Sequence, residues 1–321
     1  MKIRFATALA ALSLAGLGLV ADPAQAATPG VSNEAEFLAA VENANADPSV
    51  TEIVFAPNAV IELTDEVRYT GLQDLTLVGR GAMISGATVT ADTDTWDSGL
   101  FVSESGGDLT VRRLTFANSF NNGLSVFLPP GSGTVEIVLD DVTVTKAQFH
   151  GVLIDGQATT GYNTDDFVHP NCVDPHPFDS GTSIDITVDR SEITGAGQLV
   201  GYDISQDTGC PQDFDGLRVD QGGAGDLVAD LDRSTFDDNL ADGVELDEKG
   251  DGSVDATVDR STFNANGDTT AIECTVEDLC GGDFGETIED LDDGFDIDDE
   301  DAGDLTVCLL YTSPSPRDPL R

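Results

Sequence analysis

One pattern recurs along the chain and constrains its fold more than any other feature. "SIDITVDRSEITGAG", "DLVADLDRSTFDDNLADGVELDEKGDG" and "SVDATVDRSTFNANG" share a template: alternating apolar residues, then Asp-Arg-Ser, then an apolar residue two places on. The apolar sets are Ile184, Ile186 and Val188, then Leu227, Ala229 and Leu231, then Val254, Ala256 and Val258. A second strand completes each unit, in "FDGLRVDQGGAG", "ADGVELDEKGDG" and "DDGFDIDDEDAG". Weaker copies lie upstream in "NNGLSVFLPPGSG" and "FHGVLIDGQ", and Val135, Ile137 and Leu139 of "TVEIVLDDVTV" continue the apolar column. Alternation gives each strand one buried face. A unit of about two dozen residues is the period of a repeat architecture.

Gly-rich corners join strands of roughly three to five residues, and no helix separates them. An antiparallel meander has no reason to repeat the same corner chemistry at the same phase. A coiling parallel solenoid does, because equivalent residues stack about 4.8 Å apart from coil to coil. Two calcium motifs are excluded. The period is wrong for a nonapeptide β-roll, and "EDLDDGFDIDDE" places Leu291 at a required EF-hand ligand position.

The stretch "NEAEFLAAVENANADPSVTEIVFAPNAVIELTDEV" resembles the start of right-handed parallel β-helix proteins of the pectin-lyase-like class. Its helix "EAEFLAAVENAN", with Asn33 or Ser32 as N-cap, would close the open end of the solenoid against strand addition. "TEIVFAPNAVIEL" and "LTLVGRGAMISGA" read as the first coils. The resemblance covers roughly residues 30–307. It implies an all-β fold: a single-stranded right-handed parallel β-helix with a short N-terminal capping helix. It does not imply one activity, because the class holds lyases, hydrolases, adhesins and inert stalks.

The chain ends carry their own expectations. "MKIR", the apolar "FATALAALSLAGLGLV" and "AQA" read as a signal peptide over residues 1–26, so the mature chain is expected to be secreted, periplasmic or at the cell surface. No later segment approaches a membrane span of about 20 apolar residues. "CLLYTSPSPRD" shares nothing with the repeats and back-translates to a transposase-library sequencing adapter, so residues 308–321 are expected to be read-through. On that reading the native chain continues past Val307, and C-terminal coils and cap are missing. The β-helix domain is then 27–307, with a cap at 27–50 and loop insertions at 157–182, 198–214 and 268–290. Setting Cys308 aside leaves Cys172, Cys210, Cys274 and Cys280. In an exported chain these suggest two disulfides; of the three pairings open, Cys172–Cys210 with Cys274–Cys280 is the one expected.

Charge narrows the partners. The chain has 60 Asp plus Glu against 14 Lys plus Arg, a net charge of -46, yet is 40% hydrophobic. That is enough for a core, so disorder is excluded as a general account. Such a surface repels nucleic acid and anionic membranes and attracts metal cations.

Aligning the second strands stacks the acids into three ladders. Asp215, Asp242 and Asp293 each precede Gly; Arg218, Glu245 and Asp296 follow; Asp220, Asp247 and Asp298 come last, with Asp155 an earlier member. Two carboxylates about 5 Å apart repel by under 1 kcal/mol in water but by about 3 kcal/mol at the effective dielectric near a protein surface. Cations, protonation or solvation must relieve the stack. Calcium fits the donor set, since it takes six to eight oxygen ligands in loose geometry. A solvated, salt-screened acidic face is the other reading.

The Asp-Arg-Ser corners read as structure, with Asp and Arg columns neutralising each other and Ser satisfying corner backbone. The insertions enter near the acidic strand and could wall a groove. Arg218 is the one base among the stacked acids. Pectate lyases pair strand-bound calcium with an Arg or Lys that abstracts a proton, so the resemblance offers Arg218 as a catalytic base; a salt-bridge rung is the alternative. The polygalacturonase pattern is poorly matched: Asn163–Asp165 gives N-T-D, but His150-Gly151 precedes it. His169 and His176 lie near Asp174 and Asp179 in a Pro-rich loop, a sparse transition-metal pattern.

The expected function is that of an exported acidic solenoid that binds calcium and serves in extracellular or cell-surface binding, adhesion or structure. The alternative is a calcium-dependent lyase, or another glycan-active enzyme, on acidic polysaccharides.

Overall fold

The computed structural model describes residues 30–86, 99–156, 181–198, 214–267, 294–299 and 303–310. Helix α1 (Glu34–Ala46) is followed by strands β1 (Glu52–Val54), β2 (Val60–Glu62), β3 (Val67–Tyr69), β4 (Leu75–Ser85), β5 (Phe101–Ser103) and β6 (Leu109–Ser119). Next come β7 (Leu124–Phe127), β8 (Thr134–Asp140), β9 (Thr143–Ala147), β10 (Val152–Asp155), β11 (Ser183–Asp189) and β12 (Glu192–Thr194). The last are β13 (Leu217–Gly222), β14 (Leu227–Asp232), β15 (Val244–Lys249), β16 (Val254–Asp259), β17 (Phe295–Asp299) and β18 (Leu305–Leu310).

The strands form two sheets, and the chain passes back and forth between them. One runs β1-β4-β6-β8-β11-β14-β16-β18, with β2, β9 and β12 alongside; the other runs β3-β5-β7-β10-β13-β15-β17. Strands β13 to β18 alternate strictly between sheets, and every pairing among them is parallel. This is a parallel β-solenoid, as the repeat requires. Registers match the sequence template: Ile184↔Leu227, Ile186↔Ala229 and Val188↔Leu231 are partners, and Val135, Ile137 and Leu139 sit one coil earlier. All of these inward side chains are buried. Fully burying each large aliphatic contributes about 1.5–3 kcal/mol, so the column is the main driving force for coiling.

Helix α1 closes one end. Asn33 is the N-cap, its side chain accepting from Glu36 N, while Ser32 N and Oγ both donate to Glu36 Oε2 at 2.8 Å. Phe37, Val41 and Ala44 are buried, with Phe37 against Phe55 and Phe101. Among the described residues no helix is long and apolar enough to cross a membrane. At the other end, Leu305, Val307 and Leu309 extend the inward column by register but are 51%, 41% and 52% exposed. Cys308–Leu310, expected to be read-through, occupy the last positions of β18.

Two features depart from the simple template. β4 and β6 have 11 residues each, longer than the short strands expected. They run through a corner: Arg80 and Arg113 have φ of 56° and 49°, and the β4–β6 register shifts between Val78 and Ala82. The corner residues Arg190, Arg233 and Arg260 are also left-handed, at φ 50°, 53° and 54°. Arg is an uncommon choice there, and its guanidinium explains it. Arg190 pairs with Asp140 and Asp189; Arg233 reaches Asp189 and Asp232 at 2.7 and 2.9 Å; Arg260 reaches Asp232 and Asp259 at 2.8 and 2.9 Å. The following serines form their own ladder, Ser191 N donating to Ser234 Oγ and Ser234 N to Ser261 Oγ, each at 3.1 Å.

Candidate metal centre

The second sheet narrows at a Gly ladder. A Cβ at Gly216 would lie 2.5 Å from Gly243 O, and one at Gly243 would lie 2.5 Å from Gly294 O. Stacked backbone thus leaves no space for a side chain there. The preceding residue in successive coils is Asn122, His150, Asp215 and Asp242. Each of the first three accepts the backbone N–H of its counterpart one coil on. His150 N donates to Asn122 Oδ1 at 3.0 Å, Asp215 N to His150 Nδ1 at 3.3 Å, and Asp242 N to Asp215 Oδ1 at 3.0 Å. Any short acceptor side chain satisfies this demand, so Asp215 has a structural duty besides its charge.

Beyond the corner, Arg218 and Asp220 on β13 stand in register with Glu245 and Asp247 on β15. Arg218 is only 5% exposed. Its Nη1 lies 2.6 Å from Glu245 Oε2 and 3.5 Å from Asp215 Oδ2, its Nε 3.0 Å from Asp220 Oδ1, and its Nη2 3.3 Å from Asp247 Oδ2. The guanidinium is the hub of an ion cluster, and this geometry is that of a salt-bridge rung.

Asp215, Asp242 and Glu245 are all buried, and one oxygen from each lies within 4.8 Å of the others. Burial pushes the Asp215 carboxyl up. The hydrogen bond and charge of His150 and the charge of Arg218 outweigh that and hold it below its ordinary value. His150 Nδ1 lies 3.3 Å from both Asp215 N and Asp215 Oδ2. With Asp220 and Asp247, five carboxylates share this corner with one guanidinium among the described residues. An all-oxygen, strongly anionic donor set suits a hard cation such as calcium or magnesium, with water or carbonyl oxygens completing the shell.

The expected ligands therefore divide. Asp215, Asp242 and Glu245 converge, with Glu245 and Asp215 also pairing with Arg218, whereas Asp220 and Asp247 meet Arg218 outside that convergent group. Asp296 is in register with Glu245, and its Oδ1 accepts from Ile297 N at 2.8 Å. Asp298 is in backbone register with Asp247. Asp293, all four cysteines Cys172, Cys210, Cys274 and Cys280, and His169 and His176 lie outside the described residues, as do the signal segment and nearly all of the insertions. Sequence reasoning missed the roles of Asn122 and His150. The signal was present, since "NNG" and "FHG" align with "FDG" and "ADG".

Fold and site define an acidic parallel β-solenoid with a buried carboxylate cluster able to hold a metal ion. Comparison with protein-family models, with curated proteins and with solved structures returns no match to this chain.

Proposed function

We propose that this chain is an exported right-handed β-helix of the pectin-lyase-like class that binds calcium at Asp215, Asp242 and Glu245 and acts as an extracellular or cell-surface binding protein. The carrying observation is that three buried carboxylates on adjacent coils converge within 4.8 Å, in an ion cluster whose acids outnumber its arginine. A divalent cation relieves that repulsion and ties one coil to the next. The lyase alternative has less support. A base must reach its substrate, and Arg218 is buried and engaged by four carboxylates.

Calorimetric titration with calcium chloride tests the reading. The expected result is binding that Asp215→Asn and Asp242→Asn each weaken about tenfold or more, a loss of about 1.4 kcal/mol or greater. Asn at position 215 keeps an acceptor for Asp242 N, so the loss reports charge. Absence of binding heat in the wild-type chain, or unchanged affinity in both variants, overturns the proposal.

A further inference from the structure

The first coils break a charge pattern that the later coils repeat at one corner. The left-handed residue of that corner is Asn58, Arg80, Arg113, Asp141, Arg190, Arg233 and Arg260 in successive coils. By register the column beside it is Val54, Val78, Arg112, Asp140, Asp189, Asp232 and Asp259. From Arg190 onward each guanidinium is held by its own Asp and by the Asp one coil back. Earlier the column offers no carboxylate. Arg80 stands against Val78 and Val54, and Arg113 against Arg112 and Val78. Arg68 pairs with Glu66 and Glu104, and Arg218 with four acids, whereas Arg80, Arg112 and Arg113 are exposed and form no ion pair among the described residues. Asp140, the register partner of Arg112, is taken by Arg190. Asp141 lies one coil on from Arg113, and no ion pair joins them.

We propose that Arg80, Arg112 and Arg113 form a binding site for a tetrahedral oxyanion, sulfate or phosphate, taken free or as the ester group of a small sugar. The later coils show what completes this corner. Asp189 is an oxyanion held between Arg190 and Arg233, and Asp232 is held likewise between Arg233 and Arg260. In the first coils the guanidinium groups are present and the internal anion is not. A guanidinium has five N–H donors and no acceptor, and its fork matches the oxygens of such an anion. Successive coils lie about 4.8 Å apart, so one anion with oxygens on several sides can meet arginines from both. Asn58, one coil before Arg80, is a neutral amide whose N–H donates to Arg80 O at 3.3 Å, so that side adds no competing charge. The size of the ligand follows from the rest of the surface. A net charge of -46 repels an extended polyanion along its length. A compact ion feels mainly the three nearby cations, because charges beyond about 8–10 Å are screened at ordinary salt.

Nitrogen-15 NMR of the arginine Nε–Hε groups tests this on the full chain in calcium-free buffer, which keeps it separate from the carboxylate site. Sodium sulfate and sodium phosphate are titrated against sodium chloride at matched ionic strength. The expected result is saturable shifts of three arginine resonances with either dianion and none with chloride. Arg112→Asp writes the Asp-Arg pair of the later coils into this one and should abolish the saturable shifts. Arg80→Asn repeats the residue found one coil back. It should weaken binding about fivefold or more, the factor for one unit charge about 4 Å away in water. Arg260→Gln removes an arginine that Asp232 and Asp259 already hold and should leave the affinity unchanged. Glucose 6-phosphate separates the two sources: binding tighter than that of inorganic phosphate assigns the sugar ester, and weaker binding assigns the free ion. Shifts that chloride reproduces, or an affinity that survives Arg112→Asp or falls equally in Arg260→Gln, overturn the proposal.

Discussion

Replacing Arg218 with Met keeps much of the apolar stem and removes the guanidinium that four carboxylates approach at 2.6–3.5 Å. At a charge separation of about 4 Å and an effective dielectric of 20, each pair is worth about 4 kcal/mol before desolvation. Desolvating the guanidinium offsets much of that sum. Breaking a buried pair from one side nevertheless costs about 3–5 kcal/mol, because the remaining charges stay buried. Arg218→Met should therefore lower unfolding free energy by about 3–5 kcal/mol in chelator, measured by denaturant titration. The same substitution releases Glu245 Oε2 and removes a repelling cation, so calcium should bind more tightly than in the wild-type chain. Calcium at a hundred times its dissociation constant should restore about 2.7 kcal/mol. The reasoning is refuted if the variant is as stable as the wild-type chain in chelator, or if calcium restores nothing. A variant of unchanged stability that loses a lyase activity would instead assign Arg218 as the base.

Two further tests address the scaffold and the pH response. Gly216→Ala places a Cβ 2.5 Å from Gly243 O and 2.6 Å from Asn239 Nδ2; it should cost about 1–3 kcal/mol in the same titration. The Asp215 carboxyl is held below its ordinary value of 3.8, so its contribution is present above that pH and lost as pH falls toward the depressed folded value. Asp215→Asn should flatten the acid limb of a plot of thermal midpoint against pH while leaving the neutral plateau less affected.

The repeat made the solenoid legible because inward residues must alternate and corners must recur at one phase. The Ile184–Leu227–Val254 column and the Asp215–Asp242 register follow directly from it. Division of the acids was not legible. Sequence places Asp220, Glu245 and Asp247 alike on outward positions, and only side-chain packing shows that Arg218 draws in Asp220 and Asp247 while Glu245 also meets Asp215 and Asp242. The burial of Glu248 was hidden for a related reason. In a chain with 60 acids an inward glutamate looks like one more solvated charge, although its alternation with Val244 and Leu246 marks it as buried. The long strands β4 and β6 escaped detection because the corner at Arg80 and Arg113 needs a left-handed residue, a role for which Gly or Asn is the usual signal.

The acceptor column Asn122, His150, Asp215, Asp242 makes the solenoid a graduated rule. The backbone asks of each mark only that it accept one N–H, and amide, imidazole and carboxylate all comply. Charge at that position can therefore be written, erased or shifted along the axis in steps of about 4.8 Å without redrawing the scale. A designer could place a carboxylate at position 122 or an amide at 215 and slide the anionic mark from coil to coil, with the fold as a fixed instrument.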